Sequence, residues 1–103
     1  MPGKRPRILT LSPKESLILE LLVHQQEMYG LQLVAASRRR LKRGTVYVTL
    51  GRMEDKGYIA SRQEDAPPEA GGLPRRLYQV TPLGRRLLAA LAHVADLIPA
   101  PAR

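Results

Sequence analysis

Two short runs of β-compatible residues interrupt a sequence that is otherwise patterned for helices. The runs span residues 58–63 and 75–80, and residues 66–72 between them are rich in Pro and Gly. Pro and Gly clusters of this kind form turns, so the runs predict a β-hairpin with a long loop. Three helical segments precede the hairpin and one follows it.

The start of each outer helix is marked by a capping residue and a proline. Residues 12–15 are Ser-Pro-Lys-Glu, in which Ser is an N-cap, Pro suits the first helical position and Glu completes a capping box. Residues 81–82 are Thr-Pro and predict a last helix that ends near residue 98, before two prolines. A short second helix is predicted over residues 31–37.

The third helix is predicted over residues 44–56. Val46, Leu50 and Met53 fall on one face at 3.6 residues per turn, and this face is expected to be buried. The opposite face is small and polar near its N-terminus, so it could approach another surface closely. Gly57 is well placed to end the helix in a left-handed conformation.

Three compact helices followed by a hairpin form the winged helix-turn-helix arrangement, in which the third helix contacts DNA bases. We therefore predict a mainly α fold with a small β-hairpin: a winged helix-turn-helix plus a C-terminal dimerisation helix. The predicted organisation is a flexible basic arm over 1–11, a DNA-binding domain over 12–81, and a dimerisation helix and tail over 82–103.

The charge balance favours a polyanionic partner. The chain has 17 Lys and Arg against nine Asp and Glu, a formal net charge of +8 with a pI near 10.6. Such an excess indicates nucleic acid first, and an acidic surface second. We expect double-stranded DNA as the main partner.

Several other classes of protein find no support. Cysteine is absent and the two histidines lie far apart, which argues against disulfides and metal sites. There is no catalytic constellation or phosphate-binding loop, so no enzyme and no cofactor are expected. No secretory signal and no apolar stretch of transmembrane length is evident, so we expect a cytoplasmic, nucleoid-associated protein with no membrane partner.

The candidate DNA contacts centre on the third helix. Five basic residues in six precede it over 38–43, at the end where a helix offers free N–H groups to a phosphate. A solvated charged loop is the alternative interpretation, and packing on the domain is the alternative for Tyr47. The predicted DNA-binding residues are Arg40, Lys42, Arg43, Thr45, Tyr47, Val48, Arg52, Arg75 and Arg76.

The individual roles differ. Thr45 and Tyr47 offer hydroxyls to phosphate. Arg52 could reach a base edge or a phosphate, or, as an exposed arginine, could do neither. Arg75 and Arg76 begin the second hairpin strand and could reach the DNA backbone or the minor groove. Equally, these two arginines could face solvent and offset nearby acidic residues.

The last helix predicts a second subunit. From residue 87 to residue 98 only His93 and Asp96 are polar, and a helix that is apolar nearly all round must be covered on more than one side. Packing on its own domain alone is the alternative. The predicted dimer interface consists of Leu87, Leu88, Leu91, Val94, Leu97 and Ile98.

Four segments together resemble the PadR-like transcriptional regulators. They are Leu-Ser-Pro-Lys-Glu (11–15), Met-Tyr-Gly-Leu (28–31), Gly-Thr-Val-Tyr-Val-Thr-Leu-Gly-Arg-Met-Glu-Asp-Lys-Gly-Tyr-Ile (44–59) and Pro-Arg-Arg-Leu-Tyr-Gln-Val-Thr-Pro-Leu-Gly (74–84). The resemblance implies a homodimeric winged-helix protein that binds a palindromic operator, usually as a repressor. The single short C-terminal helix is similar to the compact subfamily, whose last helix dimerises.

The resemblance also implies roles for particular residues. Thr45 and Tyr47 match the motif that contacts the DNA backbone, and Arg75 and Arg76 match the basic wing strand. Val48 stands where the family usually has proline. A small-molecule effector could be a partner, but no aromatic residue lies in the last helix. Two alternatives stay open: a winged-helix protein-interaction module, and a non-specific nucleoid-type DNA binder.

Overall fold

The computed structural model describes residues 11–64 and 75–97, with side chains in the last helix described as far as residue 92. The predicted arm before residue 11, the predicted hairpin tip and Ile98 lie outside the described residues. The order of elements confirms three helices, a hairpin and a fourth helix, with one additional strand. The elements are α1 (Pro13–Gln25), β1 (Met28–Tyr29), α2 (Gly30–Ala36), α3 (Val46–Asp55), β2 (Ile59–Glu64), β3 (Arg75–Val80) and α4 (Pro82–Leu97).

The start of α1 is fixed by the predicted capping box. The Ser12 N–H donates to Glu15 Oε1 at 2.9 Å, and the Glu15 N–H donates to Ser12 Oγ at 3.2 Å. Ile18, Leu19 and Leu22 follow at helical spacing and are fully buried. This face of α1 forms one side of the core.

The sheet has three strands rather than the two of the predicted hairpin. β2 and β3 pair antiparallel, from Ile59 opposite Val80 to Glu64 opposite Arg75. A third strand, β1, forms where no strand is predicted, because Met28 pairs opposite Tyr78. β3 is therefore the central strand, with β1 and β2 on its two sides.

α3 is shorter than predicted but presents the predicted faces. Its first helical residue is Val46, so the predicted start at Gly44 is two residues early. Val46, Leu50 and Met53 are buried with 1% or less of their surface exposed. Gly57 has a φ of 81°, which confirms the left-handed end of this helix.

α4 packs against α1 and against β3. Gly84 approaches the Tyr58 carbonyl so closely that a Cβ on residue 84 would clash with its oxygen. Leu87 is 6% exposed and belongs to the core of this chain. Leu88 and Leu91 are only partly buried against that core. The side chains of Val94 and Leu97 lie outside the described residues.

Candidate nucleic-acid interface

The outward face of α3 is an exposed ridge on the side opposite the core. Thr45, Val48 and Arg52 follow one another along it, each about one turn further on, and all are exposed. Gly51 lies beside them with nothing within 4 Å of where its Cβ would stand. The predicted small and polar face is therefore free to approach another surface closely.

The N-terminus of α3 has unused hydrogen-bond donors. Thr45 is the N-cap residue and its side chain makes no capping bond. The Val46 N–H donates to the Lys42 carbonyl at 2.9 Å, whereas within the described residues the N–H groups of Tyr47 and Val48 have no protein acceptor. Free amides at a helix N-terminus attract anions. Exposed Lys42 and Arg43 precede them.

The basic segment 38–43 is anchored, although its charged side chains are exposed. Leu41 is 1% exposed within the core, and its N–H donates to Ser37 Oγ at 3.0 Å. Arg38 and Arg39 adopt positive φ values of 55° and 67°, which turn the chain sharply after α2. Arg40 lines a hollow with Lys14 and Glu20 on α1.

Tyr47 borders a cleft between α3 and the hairpin. The cleft has a volume of about 520 Å³. Tyr47 is 50% exposed, and its ring packs so closely on Gly30 that a Cβ there would lie 2.6 Å from Cε1. Half of the Tyr47 side chain therefore packs on the domain, and the other half faces solvent. The cleft is lined by Tyr29, Gly30, Leu31, Gln32, Tyr47, Arg75 and Arg76.

The two hairpin arginines are exposed and held by polar neighbours. The Arg75 guanidinium lies 5.2 Å from the centre of the Tyr29 ring, close enough for a cation–π contact. The hydroxyl of Tyr29 on β1 donates to Glu64 on β2, across the central strand β3. Arg76 Nη1 donates to Ser61 Oγ at 3.0 Å. These contacts place both arginines at the cleft beside Tyr47.

A second groove, of about 480 Å³, runs along the other side of α3. Lys14, which the sequence pattern did not single out, lines it together with Arg52 and Lys56. Lys56 Nζ lies 3.0 Å from Glu15 Oε2. Burial acts to raise the pKa of Glu15, but the Ser12 N–H and the Lys56 ammonium outweigh it and hold that pKa below its ordinary value of 4.5. Glu15 is therefore an ionised carboxylate paired with Lys56, and Lys14 and Arg52 are further exposed cations of this groove.

Some alternative sites are missing from the described part of the chain. Within residues 11–64 and 75–92, whose side chains are described, there is no cluster of His, Asp or Glu that could hold a metal ion. No helix described there has the length and apolar character needed to cross a membrane.

Known proteins of one family resemble this chain in sequence and in fold. The model of the transcriptional regulator PadR-like family matches residues 18–90. A PadR family transcription regulator from Clostridium difficile superposes with a TM-score of 0.69 and 28% identity, over 84% of this chain and 90% of that chain. A PadR family regulator from Eggerthella lenta gives 0.66 and 27% identity, over 80% and 70% of the two chains.

A further solved structure extends the likeness beyond proteins with that family name. The circadian clock associated protein Pex from Anabaena has a TM-score of 0.58 and 30% identity, over 77% of this chain and 70% of that chain. The comparison with curated proteins found no match. Since the family model spans more than half of the sequence, the chain belongs to the PadR-like family of transcriptional regulators.

Proposed function

We propose that this protein is a homodimeric repressor that binds a palindromic operator in duplex DNA at the nucleoid. The observation that supports this most strongly is the exposed face of α3, which has unused amides at its N-terminus and a cleft lined with basic residues on each side. Membership of a family of transcriptional regulators supports the assignment of that surface to DNA. Proteins of this family are not generally enzymes.

In the proposed complex, α3 enters the major groove with its N-terminal half leading. Lys42, Arg43 and Thr45 then bind phosphates, together with the free amides of the first helical turn. Glu54 and Asp55 occupy the other end, where a phosphate would be repelled. The proposed phosphate contacts are therefore confined to the N-terminal half of the helix.

The hairpin supplies a second line of contacts. Arg75 and Arg76 border the same cleft as Tyr47, and the arginines of a wing can reach the adjacent backbone or the minor groove. The Tyr47 hydroxyl is a further phosphate donor, because its ring is half exposed while the other half rests on Gly30. One cleft thus joins the contacts from α3 and those from the hairpin.

The proposed dimer forms through α4. Leu88 and Leu91 are partly buried by this chain, and Ala89, Ala90 and Ala92 beside them are exposed, so an apolar surface is left for a partner. We propose that Val94, Leu97 and Ile98 extend the same surface. Replacing Leu91 and Val94 by Glu would introduce charge there and is expected to give monomers. Sedimentation of the unmodified protein as a monomer at micromolar concentration would refute the dimer.

Arg52 provides the test of sequence specificity. A preferred duplex is first selected from a random pool and then titrated beside a scrambled duplex at one salt concentration. If Arg52 makes a bidentate contact with a guanine, Arg52→Ala loses about 1–3 kcal/mol of binding free energy for each such contact on the selected duplex. It loses almost none on the scrambled duplex. Arg39→Ala is the matched control, because it removes the same charge away from α3 and is expected to weaken both duplexes alike.

The same titration separates the alternative functions. A regulator prefers the selected duplex by about tenfold or more, whereas a nucleoid-type protein binds both duplexes equally. Absence of binding to either duplex would favour a protein-interaction module.

A further inference from the structure

Val48 is an apolar side chain in an unusual position. It lies on the side of α3 opposite buried Val46, Leu50 and Met53. It is 55% exposed, more than any other large hydrophobic side chain in the described part of the chain. Nothing within the described chain covers it, although it belongs to the helix that the proposed function places in the groove.

The surroundings of Val48 are polar and open. Thr45 precedes it and Arg52 follows it along the same ridge, and Lys14 lines the groove beside it. Gly51 leaves free space on another side, so a partner surface can approach the helix backbone there. A protein interface buries a contiguous apolar core, whereas here one apolar side chain stands among polar and cationic groups. The expected partner is therefore mostly polar and anionic, with a single apolar group.

Duplex DNA has this combination of features in its major groove. The thymine C5-methyl is the apolar group that base edges present there, among hydrogen-bond donors and acceptors. We propose that Val48 contacts the C5-methyl group of a thymine in each operator half-site, which would make it a specificity-determining residue. This inference rests on the proposed function and adds the base that the middle of α3 recognises.

The geometry also limits where that thymine lies. Val48 and Arg52 are four residues apart, which is about 6 Å along a helix axis. DNA rises about 3.4 Å for each base pair. A guanine contacted by Arg52 therefore lies within about two base pairs of the thymine contacted by Val48.

Replacing thymine by deoxyuridine tests the contact, because this substitution removes the methyl group and leaves base pairing intact. Each thymine of the selected duplex is replaced in turn, and the wild type and Val48→Ala are titrated against every version. At one position in each half-site the wild type is expected to lose about fourfold in affinity, the value of one buried methyl-sized group. Val48→Ala is expected to bind the thymine and deoxyuridine versions equally.

Leu83→Ala is the matched control, since Leu83 is another exposed apolar residue and lies on α4 rather than α3. This variant should keep the wild-type sensitivity to deoxyuridine. If the wild type prefers the selected duplex but tolerates every deoxyuridine, or if Val48→Ala keeps the wild-type sensitivity, the thymine contact is refuted while the proposed function stands. If the wild type shows no preference between selected and scrambled duplexes, the proposed function fails and the Val48 contact fails with it.

Discussion

Gly30→Ala is expected to weaken DNA binding without weakening the fold. A Cβ at residue 30 would lie 2.6 Å from Cε1, 2.7 Å from Cζ and 2.8 Å from the hydroxyl oxygen of Tyr47. Ordinary contact begins near 3.4 Å, so the ring must move outward by about 0.8 Å. Because Tyr47 is half exposed, the ring has room to move. The substitution therefore displaces one proposed DNA contact and leaves the core intact.

The expected magnitudes separate binding from stability. A hydrogen bond from the Tyr47 hydroxyl to a charged phosphate contributes about 1.5 kcal/mol or more, so two half-sites lose about 3 kcal/mol, or roughly 100-fold in affinity. The free energy of unfolding should change by less than about 0.5 kcal/mol, because Gly30 begins a helix and alanine is the better helix former. Duplex titration measures the loss of affinity, and chemical denaturation measures the free energy of unfolding.

A double-mutant cycle with Tyr47→Phe supplies the control. Both substitutions act on the same hydroxyl, so the double variant should bind no more weakly than Tyr47→Phe alone. Losses that add, or wild-type affinity in Gly30→Ala, would refute this role for Tyr47.

Two further predictions concern stability. Glu15→Gln keeps an acceptor for the Ser12 N–H but loses the ion pair with Lys56, and should cost about 1–2 kcal/mol near neutral pH. Because the folded-state pKa of Glu15 is lowered, its contribution is present above the unfolded value near 4.5 and is lost as pH falls through the folded pKa. Unfolding measured from pH 7 to pH 2 should therefore show the two proteins converging at low pH, and a constant difference would contradict this. Gly84→Ala should destabilise the fold by about 3 kcal/mol, because its Cβ meets the Tyr58 carbonyl. The control Gly51→Ala should stabilise it by about 0.5–1 kcal/mol, because the space around Gly51 is open. Similar midpoints for the two variants in thermal unfolding would contradict this prediction.

The elements that sequence predicted correctly are defined by local patterns. The capping box at residues 12–15 needs only neighbouring groups, and the buried face of α3 follows from the period of its apolar residues. The exposed face opposite it follows from the same period. Local spacing is therefore sufficient to select the ridge that contains Thr45, Val48 and Arg52.

The features that sequence did not predict depend on distant partners. β1 has two residues, too few for any periodic signal, and it exists because Met28 and Tyr29 pair with β3. The contact of Tyr47 with Gly30 and the pairing of Glu15 with Lys56 likewise join separate elements. The sequence of an apolar helix such as α4 does not reveal which residues serve its own core, because the burial of Leu87 depends on packing against other elements.

The salt dependence of binding tests the central claim, that the N-terminal part of α3 and its basic neighbours bind the DNA backbone. About three to five phosphate contacts in each half of a dimer predict a slope of roughly −5 to −9 for log K against log salt. Arg43→Ala removes one proposed phosphate contact from each half and should flatten the slope by about two units, one for each half of the dimer. A wild-type slope near zero, or an unchanged slope in Arg43→Ala, would contradict the assignment of this surface to DNA.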